Sequence, residues 1–418
     1  MGGFGSGSHM SRPAPATTTT TTTTTTPGPR TPGSARISSF GTSIFTEITA
    51  LATSHQAVNL GQGFPDFPAP DFVKDAAARH IHDDRNQYAP SPGVPRLRQA
   101  LADGWTRSHP GTRAIDPGRE ITIGSGATEL LHDALLALVD PGDEVVVFEP
   151  TYDAYVPDIL MAGAIPRAVP LRPPDWRFDP AELAAAFGPR TRALILNTPH
   201  NPTGKVFSRT ELEGIAELCA RHDVVVVSDE VYSEIRFDAE HIPIATLPGM
   251  FERTVTIDSM GKTFSVTGWK VGWAIAPPAL TAALRAVHQF VTFTNATPFQ
   301  EALADVLAVA ADTGYYASLR AAYRQRRTRL TQALAGAGLV PLPVGGAYFL
   351  LTPVPGSGDA EFCRRLVTEL GVAAIPASVF YADPPRAPQL ARFCFAKRDA
   401  TIDLAGQRLL SGRARLAG

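Results

Sequence analysis

Short apolar runs alternate with segments of helical periodicity through the middle third of the chain. The runs are residues 121–123, 145–148, 193–196, 224–227, 255–257 and 273–275. Helical patterns over residues 127–139 and 209–222 lie between them. Apolar strands that alternate with helices predict a mostly parallel sheet covered by helices on both faces. Because ligands of such sheets bind at the carboxyl ends of the strands, the residues that follow each run are the first candidates for a functional site.

The pattern changes on both sides of this region, which predicts two domains. After Pro298, a long helical region over residues 299–334 leads into strands near residues 347–351 and 392–395. We therefore predict a large domain over residues 61–297 and a smaller α+β domain built from residues 36–60 and 298–418. Residues 1–35 contain an uninterrupted threonine run, Thr17 to Thr26. They are predicted to be a disordered tag and a Thr/Pro-rich leader.

Composition and charge exclude several classes of function. The 418-residue chain carries 38 Lys and Arg residues against 40 Asp and Glu residues, a formal net charge of −2. This balance indicates neither a nucleic-acid partner nor an anionic membrane. No apolar run approaches the ~18 residues that a membrane-spanning helix needs. The three cysteines lie far apart and form no disulfide framework or metal-binding pair, so we expect a reducing cytoplasm and no metal site.

A lysine in a short polar turn is the first candidate for chemistry. Lys262 lies between Gly261 and Thr263, just after the run Thr-Val-Thr-Ile at residues 254–257. This position suits an amine that is aimed into a cleft, as a lysine that forms a Schiff base requires. A solvated surface lysine is the alternative, since most single lysines are exposed.

A carboxylate follows another of the apolar runs. Four valines at residues 224–227 predict a buried strand, and Asp229 lies just past it. A carboxylate at that depth is costly unless it is paired with a positive group, and a protonated pyridine nitrogen would be such a partner. Tyr232 follows three residues later, where its hydroxyl could reach an oxygen on the same ring. The alternative is a capping aspartate beside a core tyrosine.

Three further segments could bind anions or polar groups. Residues 124–128, Gly-Ser-Gly-Ala-Thr, follow a strand and open a helix, so their free N–H groups would attract a phosphate. Two X-Pro units in residues 197–204 present Asn201 rigidly at a strand end. Arg392 lies in an apolar strand, where its planar fork would bind a carboxylate. Each could instead be structural, as a tight turn, a loop and an ion pair respectively.

Taken in order, these motifs resemble a known family. They are SGAT at 125–128, NTPHNPTG at 197–204, SDEVY at 228–232, SMGKTF at 259–264, TGWKVGW at 267–273 and RFCFAK at 392–397. They are similar to class I of the aspartate aminotransferase superfamily, the fold type I enzymes that use pyridoxal 5'-phosphate (PLP). The resemblance runs from about residue 37 to the C-terminus. On residues 59–67, 371–376 and 392–397 it is greatest for the methionine and kynurenine/glutamine aminotransferase branch. It implies an α/β fold with a mostly parallel, seven-stranded-type sheet between helices in the large domain, plus a smaller α+β domain.

The resemblance also implies a role for each matching residue toward the cofactor. Lys262 would carry PLP as a Schiff base and later move a proton between substrate and cofactor, while Asp229 would pair with the pyridinium nitrogen. Tyr232 and Asn201 would bind the phenolic oxygen, and Tyr152 would stack on the ring. The phosphate would be held by Ala127, Thr128, Ser259, Lys270 and the partner subunit's Tyr88. Lys270 stands where much of the superfamily has Arg, so it would contact the phosphate as a point charge without a fork.

For the substrate, the resemblance implies that Arg392, Asn201 and the Gly63 backbone bind the α-carboxylate. Aspartate-specific relatives place an additional arginine from the partner subunit against the distal carboxylate, whereas we find no cation in residues 288–295. The side chains that would instead line an apolar, partly aromatic pocket are Phe45, Tyr152, Phe293 and Tyr348. Those aromatic residues could equally be core packing.

We therefore predict a cytoplasmic homodimer in which the partner subunit supplies Tyr88 and Phe293 to each site. It would move the amino group of Met, Gln, Phe, Tyr, Trp or kynurenine to a 2-oxo acid by a ping-pong mechanism. One alternative is an N-succinyldiaminopimelate aminotransferase. Another is a PLP enzyme of a specialised biosynthetic route that performs elimination, decarboxylation, cyclisation or oxidation. A PLP-dependent transcription regulator would need a DNA-binding domain, which residues 1–35 do not supply.

Overall fold

The structure is a computed structural model that describes residues 1–3, 33–38, 40–41, 43–356 and 358–416. The threonine run assigned above to a leader lies outside these ranges. Within them, every helix is too short or too polar to cross a membrane.

The helices and strands of the described residues are named in chain order. The helices are α1 Ile44–Ser54, α2 Asp71–His82, α3 Pro95–Ser108, α4 Gly126–Leu138, α5 Tyr155–Met161, α6 Pro180–Ala185, α7 Arg209–His222, α8 Met260–Thr263, α9 Pro278–Val291, α10 Thr297–Asp312, α11 Tyr315–Gly336, α12 Asp359–Leu370, α13 Asp399–Ser411 and α14 Arg413–Leu416. The strands are β1 Val58–Asn59, β2 Ile121–Gly124, β3 Glu144–Glu149, β4 Ile165–Pro170, β5 Thr191–Asn197, β6 Val225–Asp229, β7 Thr254–Ser259, β8 Gly272–Ile275, β9 Phe349–Pro353, β10 Val372–Ala373, β11 Ile375–Pro376 and β12 Leu390–Cys394.

A seven-stranded sheet forms the centre of the fold, in the order β2-β8-β7-β6-β5-β3-β4. The strands from β4 to β7 pair in parallel, and β8 runs antiparallel to both β7 and β2. The valine run of β6 shows why these strands are continuously apolar. Val226 packs in a core with Leu212 of α7, while Val227 packs in a second core with Leu131 of α4. Both faces of the strand are therefore covered by helices, and the predicted α/β fold class is confirmed.

Local residues set the ends of the helices that cover this sheet. Helix α7 begins with a capping box, in which Ser208 and Glu211 each accept a hydrogen bond from the other's backbone N–H. It ends at Asp223, whose φ of 54° stops the helical path. The capping box thus satisfies the Glu211 N–H in the first turn without a tertiary partner.

A second, smaller group of strands lies toward the C-terminus. Strands β11, β12 and β9 form an antiparallel sheet, and β1 pairs in parallel with β10. The pairing of β1 with β10 joins the segment near residue 58 to the C-terminal part of the chain. The domain bounds at 36–60, 61–297 and 298–418 stay a prediction.

Three of the differences between the predicted and the observed elements bear on the sheet and on the helices after it. The helical region 299–334 is two helices, α10 and α11, separated at Gly314 with φ 68°. Strand β4 was not predicted; it lies at the sheet edge and is largely exposed. Asp229 is the last residue of β6 and not a residue beyond its end.

Candidate active site

A cleft of about 290 Å³ opens at the carboxyl ends of β5, β6 and β7, beside the N-terminus of α4. The last residues of these strands, Asn197, Asp229 and Ser259, all face it. The residues named from the sequence that line the cleft are Phe45, Gly63, Ala127, Thr128, Tyr152, Asn201, Asp229, Tyr232, Ser259, Lys262, Lys270 and Arg392. The fold thus brings together segments that are hundreds of residues apart in the chain.

Lys262 lies on the short helix α8, directly after β7. Its Nζ is 5.7 Å from the ring centroids of both Tyr232 and Tyr348. Burial lowers the pKa of Lys262 to about 8, and the nearby charges of Lys270 and Arg392 act in the same direction. An amine with this pKa is partly neutral near pH 7 and can accept a proton or attack a carbonyl carbon.

Asp229 is buried at the end of β6, with 4% of its surface exposed. The Tyr155 hydroxyl donates to Oδ2 at 2.7 Å, and the Val231 N–H donates to Oδ1 at 3.3 Å. Burial raises the pKa of Asp229, and the hydrogen bond from Tyr155 opposes that rise. Both donors are neutral groups, so a cation bound in the cleft would stabilise the ionised form of this carboxyl.

Arg392 is buried in β12 and points its guanidinium at neutral acceptors. Nη1 donates to Asn201 Oδ1 and Nη2 donates to the Gly61 carbonyl oxygen, both at 3.0 Å. The rings of Phe349 and Phe45 flank the guanidinium, with centroids 4.2 and 5.1 Å from Cζ. Within the described residues Nε has no hydrogen-bond partner. A charge held this way is suited to bind an anionic group of a ligand.

Tyr348 supports the cleft from behind. Its side chain is fully buried, and its hydroxyl donates to the Gly63 carbonyl oxygen at 2.6 Å. Its ring packs edge-on against Tyr232, with centroids 5.1 Å apart. Tyr348 therefore fixes Gly63 and Tyr232, whereas the residues that line the cleft do not include it, and its predicted place in a substrate pocket stays a prediction.

The N-terminus of α4 and Lys270 form a positively charged corner of the cleft. Helix α4 begins at Gly126 with φ +80°, and a Cβ there would lie 3.3 Å from Lys270 Nζ. A Cβ on Gly272 would lie only 2.8 Å from the Ala127 nitrogen, so both glycines permit the close approach. The Ser125 side chain makes no capping hydrogen bond. First-turn N–H groups and an ammonium thus converge where an anion would bind.

Comparison with known proteins identifies the family. Residues 55–409 match the family of class I and II aminotransferases. The chain belongs to this family. It is 45% identical over 380 residues to methionine aminotransferase of Escherichia coli (strain K12), covering 90% of this chain and 97% of that protein. It is 41% identical over 409 residues to kynurenine–oxoglutarate transaminase 1 of Homo sapiens, covering 90% and 96% respectively.

Solved structures confirm the fold type of this aminotransferase. The crystal structure of the E. coli methionine aminotransferase matches with a TM-score of 0.87 at 44% identity, covering 92% of this chain and all 100% of that one. N-Succinyldiaminopimelate aminotransferase from Mycobacterium tuberculosis matches with a TM-score of 0.86 at 44% identity, covering 91% and 99%. The resemblance to fold type I is therefore confirmed. The chain is a PLP-dependent aminotransferase that acts on an amino acid and a 2-oxo acid.

The side chains in the cleft of the aminotransferase match the chemical groups of PLP. The hydrogen-bond donors to the buried Asp229 carboxyl, the Tyr155 hydroxyl and the Val231 N–H, are neutral, which suits a protonated ring nitrogen. Lys262 supplies an amine for the aldehyde carbon. The corner at Gly126 and Lys270 suits a phosphate, because the close approach that the two glycines permit brings the Lys270 ammonium beside the first-turn N–H groups of α4.

Tyr88 and Phe293 lie outside the cleft of their own chain. They are 85% and 44% exposed, and their rings pack edge to face with centroids 5.7 Å apart.

The expectation of no cation in residues 288–295 needs a correction. His288 has its pKa raised to about 9 by carboxylates, against the effect of burial, so it is charged near pH 7. It is fully buried and faces those carboxylates, so it does not offer charge to a substrate.

The sequence analysis missed Tyr155 and Phe349, which line the cleft and contact Asp229 and Arg392 respectively. Tyr155 is the second tyrosine of Tyr-Asp-Ala-Tyr at residues 152–155. Its N–H donates to the Tyr152 carbonyl oxygen at 3.1 Å, and the two rings lie 5.5 Å apart. The repetition of tyrosine at a spacing of three residues is the sequence signal from which Tyr155 could have been predicted.

Proposed function

We propose that this aminotransferase moves the amino group of an amino acid with a neutral, apolar or aromatic side chain to a 2-oxo acid by a ping-pong mechanism. The observation that carries the proposal is the distribution of charge in the cleft. Among the described residues, its lysine and arginine side chains are Lys262, Lys270 and Arg392. Each has a separate task, which leaves none of these described cations for a distal carboxylate. The similarity to methionine and kynurenine aminotransferases supports the same substrate class.

Arg392 would bind and orient the substrate through its α-carboxylate. Its two Nη atoms already face one side of the cleft, held by Asn201 Oδ1 and the Gly61 carbonyl oxygen. The flanking rings of Phe45 and Phe349 exclude water from the guanidinium, which strengthens a charge-assisted hydrogen bond there. Gly63 would add a backbone contact, with its peptide plane fixed by Tyr348.

Lys262 would carry the cofactor and move the proton. PLP, when bound, supplies an aldehyde that condenses with amines and a ring that withdraws electrons from the substrate Cα. The lowered pKa of Lys262 makes its amine available to take the Cα proton near neutral pH and to return it to a neighbouring carbon. Asp229 would hold the ring nitrogen in its protonated form, Tyr232 and Asn201 would bind the phenolic oxygen, and Tyr152 would stack on the ring.

The phosphate would be held by Ala127, Thr128, Ser259 and Lys270, which line one corner of the cleft. We propose that a homodimer completes each site with the partner subunit's Tyr88. Strong exposure of Tyr88 and its packing against the half-exposed Phe293 support a contact between subunits at this surface.

We further propose a cytoplasmic location, which three buried, unpaired cysteines support.

The proposal is tested by the half-reaction of purified holoenzyme with single donors. Met, Gln, Phe and kynurenine are each added without an acceptor, and the rate of cofactor conversion is followed by absorption. We expect these donors to react at least about tenfold faster than aspartate, because the distal carboxylate of aspartate would be desolvated without a partner. Equal or faster conversion by aspartate would overturn the proposed substrate class.

An N-succinyldiaminopimelate aminotransferase is the second candidate, favoured by the 44% identity to the M. tuberculosis enzyme of that name. The same assay separates the two functions, since conversion by N-succinyldiaminopimelate alone would select this candidate. Release of ammonia and a 2-oxo acid without an acceptor would instead indicate an elimination.

A further inference from the structure

A buried group of polar side chains lies beneath the first turns of α4, outside the cleft. We call it the His288 cluster, and it comprises Glu129 and Asp133 of α4, His288 of α9, and Thr292. His288 Nδ1 is 2.7 Å from Glu129 Oε1 and 3.5 Å from Asp133 Oδ2. Thr292 donates to Glu129 Oε1 at 2.8 Å. His288 and Asp133 are fully buried.

Both ring nitrogens of His288 face oxygen acceptors. Nδ1 faces the two carboxyl groups, and Nε2 lies 3.0 Å from the Ser91 carbonyl oxygen. Only the doubly protonated ring can donate at both positions. Burial raises the pKa of Glu129, but the hydrogen bond from His288 is the largest of the effects that lower it, and the net pKa is below its ordinary value. The cluster is therefore organised around a Glu129–His288 ion pair.

Glu129 connects this ion pair to the phosphate corner. Its Oε2 accepts a hydrogen bond from the N–H of Ser125, the residue that precedes the first turn of α4. The Glu129 side chain thereby accepts the hydrogen bond of the N–H that lies just before the helix. The N–H groups of Ala127 and Thr128, which have no acceptor within the helix, remain for a ligand. The direction of the first turn depends on where Glu129 is held.

His288 also joins α4 to the segments that carry the exposed aromatic pair. Ser91, whose carbonyl accepts from the ring, lies three residues after Tyr88. The N–H groups of Thr292 and Phe293 both donate to the His288 carbonyl oxygen, at 3.2 and 3.0 Å. The His288 side chain thus ties α4 to the segment after Tyr88, and its backbone carbonyl ties the end of α9 to Phe293.

We propose that His288 is a positioning residue for cofactor binding, which acts through its ion pair with Glu129 to hold the first turn of α4 in the conformation that binds the phosphate. This inference rests on the proposed function, in which Ala127 and Thr128 bind that phosphate. The role predicts that the affinity for PLP depends on the cluster, whereas affinity for pyridoxal, the same aldehyde without a phosphate, does not.

The test titrates full-length, cofactor-free protein with PLP and separately with pyridoxal. In His288→Gln we expect the Kd for PLP to rise about tenfold or more, because a hydrogen bond to a charged group is lost. The Kd for pyridoxal should stay within about twofold of the wild-type value. Thr292→Val removes one donor to Glu129 and keeps the shape, so it should change the PLP affinity in the same direction by a smaller factor.

His80→Gln is the matched control. His80 is a buried histidine whose Nε2 lies 2.9 Å from an Asp305 carboxylate oxygen. Its replacement should leave the affinities for PLP and for pyridoxal unchanged. The inference is overturned if His288→Gln and Thr292→Val bind PLP as the wild type does, or if they lose PLP and pyridoxal equally. A wild type that does not prefer PLP over pyridoxal would contradict the proposed phosphate corner itself, and this inference with it.

Discussion

Replacing Tyr155 with Phe removes one hydroxyl from the environment of Asp229 and leaves the aromatic ring in place. That hydroxyl donates to Asp229 Oδ2 at 2.7 Å in a fully buried position. Among the effects that lower the pKa of Asp229 against the rise caused by burial, this hydrogen bond is the largest. Its loss should therefore raise the pKa of Asp229 further and weaken the ability of this carboxylate to hold a cation.

The magnitude follows from the strength of such a bond. A hydrogen bond to a charged group contributes about 1.5–3 kcal/mol, and one pKa unit corresponds to about 1.4 kcal/mol. The pKa of Asp229 should thus rise further in Tyr155→Phe, because burial is then opposed by one hydrogen bond fewer. The proposed pairing of Asp229 with the ring nitrogen needs the ionised carboxyl. The loss of the hydrogen bond should therefore lower kcat by about tenfold to a hundredfold.

The assay measures kcat against pH for one neutral donor, together with the pH dependence of the absorption of bound cofactor. Tyr155→Phe should lose activity on the acidic side at a higher pH than the wild type does. Tyr381→Phe is a suitable control, because that hydroxyl has no hydrogen-bond partner within the described residues. A pH profile and a kcat in Tyr155→Phe that match the control would refute the role given to this hydrogen bond.

Two further predictions concern a charge in the cleft and a charge beneath it. Arg392→Lys keeps a positive charge but loses the planar fork, so kcat/KM should fall by about tenfold to a hundredfold for every donor and acceptor. Steady-state kinetics check this, and a loss confined to one substrate would contradict binding of the shared α-carboxylate. Burial raises the pKa of Asp133 to about 6, so its ionisation destabilises the folded state increasingly as the pH rises from about 4 to 6. Asp133→Asn should therefore unfold at a higher temperature than the wild type at pH 8, and this advantage should vanish near pH 4. Thermal scans at both pH values measure the difference, and an equal difference at both would show that the charge is not responsible.

The central sheet could be predicted because its strands are buried on both faces. Such strands are continuously apolar, as in the valine run of β6, and the run alone marks their position. Strand β4 has two prolines in six residues and a mostly exposed side, so it carries no such signal. The break at Gly314 was missed for a different reason. Buried apolar residues recur at helical spacing on both sides of it, so the two helices read as one.

The cleft residues could be predicted where a short motif carries them. Lys262, Asp229 and Asn201 each lie in a distinctive segment at a strand end, and the fold brings them into one cleft. The supporting contacts could not be predicted, because they join distant positions. The Tyr348 hydroxyl reaches Gly63 across 285 residues, and His288 reaches Glu129 across 159. Periodicity and local motifs contain no information on pairs at such separations.

The claim that Lys262 carries the cofactor has one direct test. Two lysines of the described residues line the cleft, Lys262 and Lys270, eight residues apart in the chain. Holoenzyme is treated with borohydride, which fixes PLP covalently to the lysine that holds it, and the labelled peptide is sequenced by mass spectrometry. We predict a single label on Lys262, and no label in Lys262→Ala. A label on Lys270, or none in the wild type, would contradict the assignment on which the proposed chemistry depends.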